Sequence, residues 1–226
     1  MRGGNVEKHL ETILWSGVSE IGLELSDQQR DALLLFWREI QFWNQRIGLV
    51  GAKGEELVRK HFLNSLAAVP FIARRIELMR EKPGRSDPVS LVDLGSGNGF
   101  PGIVLKIALP HVSFTLVERS AKRCGFLKNV AALLPNLELK IIQSDLALVS
   151  GQWDIVVSRA FRPLEEEIVQ GMKMITKPEG EWILYKGDPK QAMAELAKAG
   201  IEGEIFPIAV PGVAEQRCLA FACPLR

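Results

Sequence analysis

The hydrophobic and polar positions in the first fifty residues alternate at helical spacing. From Val6 to Trp15, apolar side chains recur every three or four residues, which predicts a first helix. Ser26 is a suitable N-cap residue, and Gln29 completes a capping box three positions later. The broad apolar stripe that follows indicates a second helix, which should end near Gly48.

A third helical segment is predicted from about Glu55 to Leu66 by the spacing of its apolar residues. Pro70 should bend or end this helix, because proline cannot donate a backbone hydrogen bond in a helix interior. His61 lies among the apolar residues, a setting typical of a hydrogen-bonded structural histidine. Helical packing alone accounts for the aromatic stripe of the second helix.

The pattern changes at residues 81–88, whose prolines and glycine predict a loop. Beyond this loop, short β-prone runs alternate with segments of helical periodicity. The strands are predicted at 89–94, 113–118, 137–142, 153–158 and 180–185, and the helices at about 101–108, 120–133, 164–175 and 189–199. Because each parallel crossover needs a connecting helix, this order predicts a doubly wound, mostly parallel sheet.

The end of the chain breaks this order. Residues 203–210 and 217–222 are strand-like and are joined through Pro211-Gly212 without a helix, so they should pair antiparallel. We therefore predict an α/β fold with a Rossmann-like, mostly parallel seven-stranded sheet, an antiparallel C-terminal strand and an N-terminal helical addition. Residues 1–80 form the predicted addition, which packs on a ligand-binding domain at 88–226 as one compact unit.

Composition sets limits on location and partners. The 226 residues are 47% hydrophobic, and no apolar run approaches the roughly 20 residues of a membrane span. The N-terminus lacks the apolar core of a signal peptide, so we expect a cytoplasmic protein with no membrane partner. Three cysteines and three histidines show no metal-ligand spacing, and no metal is expected. The net charge is only +1, so RNA binding would have to depend on local clusters of positive charge.

A glycine-rich segment, Gly95 to Gly102, follows the first predicted parallel strand. Ligands bind at the carboxyl ends of strands in such sheets, and glycine lets the backbone approach a ligand closely. The run from Gly97 to Gly102 also satisfies the GxGxxG pattern of dinucleotide sites. The glycines alone therefore predict a nucleoside cofactor without identifying it.

Further features favour S-adenosylmethionine as that cofactor. Asp93 places a carboxylate before the loop, where it suits the methionine ammonium and would repel a pyrophosphate. A GxGxG run starts directly after the strand, at Gly95, with Gly97 as its second glycine. Glu118 ends the next strand and can accept hydrogen bonds from both ribose hydroxyls, a feature that nicotinamide enzymes share. The antiparallel end of the sheet is typical of class I methyltransferases.

Five segments, spread over most of the chain, carry a family resemblance. They are His61-Phe62-Leu63-Asn64-Ser65-Leu66; Asp93-Leu94-Gly95-Ser96-Gly97-Asn98-Gly99-Phe100-Pro101-Gly102; Glu118-Arg119-Ser120-Ala121-Lys122-Arg123 with Phe126-Leu127; Ser158-Arg159-Ala160-Phe161; and Tyr185-Lys186-Gly187. Together they resemble the bacterial small-subunit (16S) rRNA guanine-N7 methyltransferase family, called RsmG or GidB. The resemblance runs from about Leu23 to Phe221.

The resemblance implies methyl transfer from S-adenosylmethionine to N7 of a guanine in 16S rRNA, with the small ribosomal subunit or an assembly intermediate as partner. It further implies that Gly95 and Phe100 contact the cofactor, that Leu146 and Ala147 lie beside its adenine, and that Arg159 faces it.

The chain departs from the family at three places. The family usually has an aspartate where Asn64 stands, Asn-Leu-Thr near Gly48-Leu49-Val50, and Arg-x-Glu where this chain reads Asp145-Leu146-Ala147. We expect Asp145 to supply the acceptor for the adenine amino group from a neighbouring position.

Positive side chains are expected to hold the RNA. Guanine N7 attacks with an existing lone pair, so no general base is expected, and catalysis can come from positioning. The candidate substrate-positioning residues are Arg159, Lys186, Arg123 and His61. Basic clusters at 119–128 and 74–85 are further candidates for RNA binding.

Three alternatives stay open on these observations. The first is a methyltransferase for a protein or a small molecule, which methylation assays on both substrate types would separate. The second is a nicotinamide-dependent oxidoreductase, which would bind NAD(H) and not S-adenosylhomocysteine. The third is a non-catalytic RNA-binding module, which would bind the cofactor without transferring its methyl group.

Overall fold

The computed structural model describes residues 2–82 and 87–223, with side chains from Glu7 onward. The helices are α1 Arg2–Ile21, α2 Asp27–Ile47, α3 Gly54–Leu57, α4 Asn64–Leu66, α5 Val69–Arg80, α6 Gly102–Ala108, α7 Ala121–Leu133, α8 Glu166–Met174 and α9 Pro189–Lys198. The strands are β1 Ser90–Leu94, β2 Ser113–Glu118, β3 Lys140–Gln143, β4 Trp153–Arg159, β5 Thr176–Lys186, β6 Gly203–Pro207 and β7 Cys218–Ala222. Residues 83–86 of the predicted loop at 81–88 lie outside the described residues.

The second helix begins and ends where its sequence predicts. The backbone N–H of Gln29 donates to the Ser26 hydroxyl at 3.3 Å, and Gln29 Oε1 accepts from the Ser26 N–H at 2.9 Å, which forms the predicted capping box. At the other end, Gly48 adopts φ 60°, a left-handed conformation that stops the helix. Helix α1 is longer than predicted and extends to Ile21.

The third helical segment is irregular at its centre. Between α3 and α4 the chain forms a π-helical turn, Val58–Leu63, a form that occurs often at functional sites. Pro70 lies in the first turn of α5, where a missing backbone N–H is tolerated, so the predicted helix ends before this proline and a new one begins. The sequence pattern did not predict α5.

The sheet has seven strands in the order β3-β2-β1-β4-β5-β7-β6. Strands β1 to β5 pair in parallel, and β7 is antiparallel to both of its neighbours, β5 and β6. The predicted α/β fold and its antiparallel C-terminal strand are confirmed. Three strands differ from their predicted bounds by three residues or more. Strand β3 starts later because Pro135–Leu137 forms a 3-10 turn, and β5 starts earlier, at a register shift opposite Trp153 and Ile155. Strand β6 ends at Pro207 and not at residue 210.

Alternate residues of the central strands face two separate hydrophobic cores. Leu91, Ile155 and Ile183 face the core that they share with α1 to α7, here called the N-terminal face. Val92 and Trp182 face the core with α8 and α9, here called the C-terminal face. Strand periodicity therefore places Asp93, Arg159 and Tyr185 on the N-terminal face, since each is two or four residues from a member of that core.

Hydrogen bonds join the N-terminal helices to the rest of the fold. The side-chain amide of Gln29 donates to the carbonyls of Ile107 and Ala108, at 2.9 and 3.2 Å, and so links α2 to the end of α6. The helices also contribute large, fully buried side chains such as Phe36 and Phe62 to the shared core. Each contributes roughly 1.5–3 kcal/mol by burial.

Candidate active site

The glycine-rich loop leaves the carboxyl end of β1 and leads into α6. The backbone N–H groups of Gly95 and Ser96 donate to the carbonyl of Val117, at 2.9 and 3.0 Å, and hold the loop beside β2. Gly95 and Gly97 have φ values of 69° and 55°, in the left-handed region that favours glycine. The loop conformation therefore depends on the glycines that the sequence singled out.

Asp93 lies beneath the loop, almost fully buried on the N-terminal face. Its Oδ2 accepts a hydrogen bond from the Gly102 N–H at 3.0 Å, whereas its Oδ1 has no hydrogen-bond partner among the residues that the structure describes. Burial, offset in part by the hydrogen bond from the Gly102 N–H, raises the pKa of Asp93 to about 6. A buried carboxylate oxygen without a described partner suits a positively charged or hydrogen-bonding ligand.

Glu118 joins the loop to the end of β2. Its Oε2 accepts from the Gly97 N–H at 2.9 Å, and its Oε1 accepts from the Ser120 N–H at 2.8 Å. These bonds fix the carboxylate at the edge of a cleft. Each oxygen keeps a further lone pair, so the group can still accept hydrogen bonds from a ligand.

A first cleft opens between the glycine loop and the ends of β2 and β4. Its lining residues are Leu94, Gly95, Val117, Glu118, Arg119, Arg123, Ser144, Asp145, Leu146, Ala160, Phe161 and Arg162. Of the predicted cofactor-binding residues, the structure therefore brings Gly95, Glu118 and Leu146 to this cleft. Asp145, the expected acceptor for the adenine amino group, also lines this cleft.

Other predicted cofactor residues lie outside this lining. Ala147 is exposed, and its backbone N–H lies 3.5 Å from Asp145 Oδ1, which caps a 3-10 turn at Leu146–Leu148. Gly97 lies behind Glu118, and Asp93 lies under the loop.

Phe100 is buried in an aromatic cluster on the N-terminal face. Its ring centroid is 5.1 Å from that of Phe36, 4.9 Å from that of Phe62 and 5.1 Å from that of His61. The side chain therefore fixes the end of the glycine loop against α2 and the π-helical turn, rather than lining the first cleft.

A second cleft adjoins the first on the side of the N-terminal helices. Its lining residues are Lys60, His61, Asn64, Arg159, Ala160, Phe161, Arg162, Pro163, Tyr185, Lys186, Gly187, Glu195 and Arg217. Three predicted substrate-positioning residues, Arg159, Lys186 and His61, meet here, whereas Arg123 lines the first cleft. With a volume of about 630 Å³, this cleft has the size of a small-molecule site and can receive a nucleotide.

Arg159 is held without an ion pair. Among the described residues, its partners are His61 Nδ1 at 2.9 Å from Nη2 and the Lys60 carbonyl at 3.4 Å from Nη1, and its guanidinium lies 5.3 Å from the Phe100 ring centroid. In the part of the chain that the structure describes, Arg159 makes no ion pair with Asp93 or Glu118. This nearly enclosed cation is available to a negatively charged or carbonyl-bearing ligand.

His61 accepts this hydrogen bond as a neutral imidazole. Burial, together with the positive charges of Arg159 and Lys60, lowers the pKa of His61 to about 4. Because arginine only donates, Nδ1 must be the unprotonated nitrogen of the ring. The π-helical turn presents this nitrogen to the second cleft.

Tyr185 was not predicted as a site residue by its chemistry. It pairs with Arg159 across β4 and β5, and its buried hydroxyl donates to the Ser65 carbonyl at 3.1 Å. Burial raises the pKa of Tyr185 above its ordinary value, so the hydroxyl stays protonated. Strand alternation could have identified this residue, because Tyr185 shares the N-terminal face with Ile183.

The other cations of the second cleft differ in their partners. Lys186 Nζ lies 2.7 Å from Glu195 Oε2 on α9, and Lys60 Nζ lies 3.1 Å from Glu56 and 3.3 Å from Glu215. In the part of the chain that the structure describes, Arg217 has no carboxylate within ion-pairing distance, and its Nη1 donates to the Gln216 carbonyl. Arg217 was missed as a site residue because it was predicted to begin the strand at 217–222, whereas it lies in the loop just before β7.

The two basic clusters lie in different parts of the molecule. Within 119–128, Arg119 and Arg123 line the first cleft, and Lys122 and Lys128 are exposed on α7. The described part of 74–85 instead lies toward the amino ends of the strands. There Arg75 pairs with Glu181 at 2.7 Å, and Arg80 Nη2 lies 3.5 Å from the His111 carbonyl. This second cluster therefore stabilises the fold at a distance from the clefts.

Two further observations bear on ligands. No described helix combines the length and the apolar character that a membrane crossing requires. Within residues 2–82 and 87–223, no group of three or more histidine, cysteine, aspartate or glutamate side chains is arranged to hold a metal ion.

Comparison with solved structures identifies the fold. The chain is similar to a ribosomal protein L11 methylase from Lactobacillus delbrueckii subsp. bulgaricus, with a TM-score of 0.53, 16% identity and coverage of 77% of this chain and 81% of that one. It is also similar to the glycopeptide N-methyltransferase MtfA complexed with S-adenosylhomocysteine, with a TM-score of 0.52, 14% identity and coverage of 70% and 86%. Both proteins share the class I methyltransferase architecture with this chain.

Sequence comparison is more specific. A relative from Syntrophus aciditrophicus, named ribosomal RNA small subunit methyltransferase G, is 36% identical over 214 residues, which cover 91% of this chain and 81% of the relative. A relative of the same name from Paracidovorax citrulli is 31% identical over 220 residues, with coverage of 95% and 90%. The family model GidB, described as rRNA small subunit methyltransferase G, matches residues 29–219. The chain belongs to this rRNA small subunit methyltransferase G family.

Proposed function

We propose that this chain transfers the methyl group of S-adenosylmethionine to N7 of a guanine in the 16S rRNA of the small ribosomal subunit. The observation that carries the proposal is the meeting of two clefts along Ala160–Arg162. One cleft has acidic and glycine features suited to a nucleoside cofactor, and the other has a cationic lining suited to RNA.

The first cleft fits S-adenosylmethionine by its donor and acceptor set. Glu118 offers a fixed carboxylate for ribose hydroxyls, and Asp145 offers an acceptor near Leu146 for an adenine amino group. The unpartnered Oδ1 of Asp93 beneath the loop suits the methionine ammonium. Leu146 supplies an apolar surface for the adenine ring. S-adenosylmethionine, when bound, supplies an electrophilic methyl group on a positively charged sulfur.

The second cleft suits an RNA guanosine. Arg159 and Arg217, which have no described carboxylate partner, can hold phosphate oxygens or the guanine O6. Hydrogen bonding to O6 alone leaves N7 free to attack. Lys60, Lys186 and Arg162 add positive charge around the opening.

The reaction requires positioning more than proton transfer. Guanine N7 carries a lone pair, so no side chain needs to remove a proton before attack. His61, neutral above a pKa of about 4, holds the Arg159 guanidinium in place instead of acting as a base. Holding two reactants in a near-attack geometry can lower a barrier by roughly 7–11 kcal/mol in favourable cases.

The decisive experiment maps the product. The purified chain is incubated with tritiated S-adenosylmethionine and with small ribosomal subunits that lack the modification, and in parallel with deproteinised 16S rRNA, ribosomal proteins and free metabolites. We expect label in 16S rRNA, recovered as 7-methylguanosine at one position. Label in protein or metabolites, or at another atom of the base, would contradict the proposal.

The same assay shows whether the substrate is the assembled particle or naked rRNA, and the proposed location follows from that substrate. Efficient labelling of intact or partly assembled subunits, with weak labelling of naked rRNA, would identify the particle as substrate. Ribosomal subunits occupy the cytoplasm, which is therefore the proposed location of the protein.

A further inference from the structure

We propose that Phe161 is the residue on which the target guanine stacks during methyl transfer. The inference rests on the proposed function and deepens it by assigning a substrate contact. Phe161 is an aromatic side chain that lines both clefts, at the border where cofactor and substrate must meet.

The backbone directs Phe161 to this border. Strand β4 ends at Arg159, and the next residue, Ala160, adopts φ 50°, a left-handed conformation that residues with a side chain rarely adopt. Such strain is retained where the surrounding structure enforces it, often at functional sites. Here it turns the chain sharply, so that the following side chain lies back over the glycine loop.

Gly95 makes room for the Phe161 ring. A Cβ atom at position 95 would overlap the Cδ2 atom of Phe161, so the ring rests directly on the backbone of the loop. Gly95 itself lines the first cleft. The ring therefore contacts the segment that is expected to hold the cofactor, while it also lines the substrate side.

No described aromatic side chain stacks on the Phe161 ring. Phe36, Phe62 and Phe100 form close pairs within one aromatic cluster, whereas Phe161 makes no ring–ring contact with any side chain that the structure describes. It is only half buried and packs with one side against the core of the C-terminal face. A half-buried ring without an aromatic partner can offer a surface to a planar ligand.

The requirements of the reaction place the base here. Guanine N7 must come within about 3–3.5 Å of the methyl carbon, so the base has to lie where the two clefts join. That junction consists of Ala160, Phe161 and Arg162, and Arg159 precedes it. The arginines suit the phosphates and the O6 atom, and the ring suits the base plane, a combination typical of single-stranded RNA recognition.

Variants at position 161 test this assignment. Phe161→Leu keeps an apolar side chain of similar size without a ring, and Phe161→Tyr keeps the ring. We expect the leucine variant to lose roughly five- to a hundredfold in kcat/KM for small ribosomal subunits, the size of one lost base–aromatic stack. The tyrosine variant should stay within about threefold of the unchanged protein, and the Kd for S-adenosylhomocysteine should change less than about threefold in both.

Phe71→Leu is a matched control. Phe71 is also half buried, and its ring centroid lies 6.0 Å from that of Phe206, in a contact outside both clefts. This variant should lose no more thermal stability than Phe161→Leu and should keep its kcat/KM.

Two results would overturn the assignment. In the first, Phe161→Leu transfers methyl groups as well as the unchanged protein does. In the second, it loses affinity for S-adenosylhomocysteine in the same proportion as kcat/KM, which would limit Phe161 to shaping the cofactor cleft. If the unchanged protein transferred no methyl group to guanine, the proposed function itself would fail, which is a distinct outcome.

Discussion

Arg159 Nη2 lies 2.9 Å from Nδ1 of His61, so the arginine at the end of β4 is held by a neutral imidazole and not by a carboxylate. A carboxylate would neutralise the guanidinium before a ligand arrived. The imidazole orients the guanidinium without an ion pair and so leaves it available to a ligand. The two residues come from distant segments, the π-helical turn and the central sheet.

Removal of the acceptor at His61 should therefore impair transfer. A hydrogen bond to a charged group contributes about 1.5–3 kcal/mol, so His61→Ala should reduce kcat/KM roughly 10- to 150-fold if the loss falls on the transition state. His61→Asn can place an amide oxygen near the position of Nδ1 and should retain more activity than the alanine variant. Unchanged kcat/KM in His61→Ala, measured with subunits as substrate, would contradict this role.

Arg159 itself should be more sensitive than His61. Arg159→Ala removes the enclosed cation and should lower the rate of single-turnover transfer by more than about a hundredfold. This loss corresponds to roughly 2.7 kcal/mol or more of activation free energy. Arg159→Lys keeps the charge but loses the planar fork, and it should restore only part of the activity. Thermal unfolding near that of the unchanged protein would show that the fold is intact. Normal transfer by the alanine variant would refute the assignment.

Cofactor affinity should depend on the protonation of Asp93. The pKa of its carboxyl is raised to about 6 in the ligand-free protein, and the ammonium of the cofactor requires the ionised form. The affinity for S-adenosylhomocysteine, measured by calorimetry, should therefore weaken as pH falls from 7 through 6 to 5. His61 does not explain such a change, because its pKa is about 4.

The effect of Asp93 on protein stability should run opposite to its effect on cofactor affinity as the pH changes. Its folded-state pKa lies above the value of 3.8 for the free group, so its contribution to stability is present at low pH and is lost as pH rises through about 6. The variant Asp93→Asn should bind the cofactor weakly. Its affinity for S-adenosylhomocysteine should not change with pH between 5 and 7. If the affinity of Asp93→Asn changed with pH as that of the unchanged protein does, Asp93 would not be the titrating group.

Gly97→Asp should abolish cofactor binding. Position 97 has a φ of 55° that disfavours a side chain, and a Cβ there would lie 3.7 Å from the Gly95 carbonyl oxygen and 3.9 Å from Arg123 Nη1, so the aspartate would crowd the loop and Arg123. Gly125→Asp is a suitable control, because a Cβ there meets no atom within 4 Å. Calorimetry with S-adenosylhomocysteine should detect binding in the control and none in Gly97→Asp. Equal loss in both variants would indicate general destabilisation.

Arg217→Gln should weaken RNA binding without affecting the cofactor. If the side chain contacts one phosphate, the slope of log Kd against log salt concentration should fall by about 0.7–0.9. The control is Arg74→Gln, because the exposed Arg74 belongs to the basic cluster toward the amino ends of the strands and lines neither cleft. Binding of subunits at several salt concentrations measures both effects. The same slope in Arg217→Gln and the unchanged protein would rule out a phosphate contact.

The order of the elements was predictable because periodicity and capping are local properties. Ser26 and Gln29 identified the start of α2, and the run from Val92 to Gly102 identified the loop at the carboxyl end of the first strand. The bounds of β3 were less predictable, because Glu138 adopts a positive φ after a 3-10 turn and delays the strand. Local propensity does not report that competition.

The site was predicted only in part, because several of its contacts join distant segments. Arg159 and Lys186 were predicted because each lies at the end of a strand. Their side chains lie on opposite faces of the sheet, so Arg159 contacts His61 and Lys186 contacts Glu195. Arg217 lies in the loop before β7 and not in the strand that was predicted to begin there, and the role proposed for Phe161 depends on the conformation of Ala160. Neither the backbone angle of a non-glycine residue nor the pairing of remote loops can be read from a single sequence.

The double role of Gln29 has a consequence for cooperativity. One residue closes the start of α2 and also satisfies the terminal carbonyls of α6, a seven-residue helix too short to persist alone. The helix that follows the glycine loop therefore depends on a segment from the beginning of the chain. We expect the two to unfold as a single thermodynamic unit, so that the N-terminal helices cannot be shortened past α2 without loss of the loop that they support.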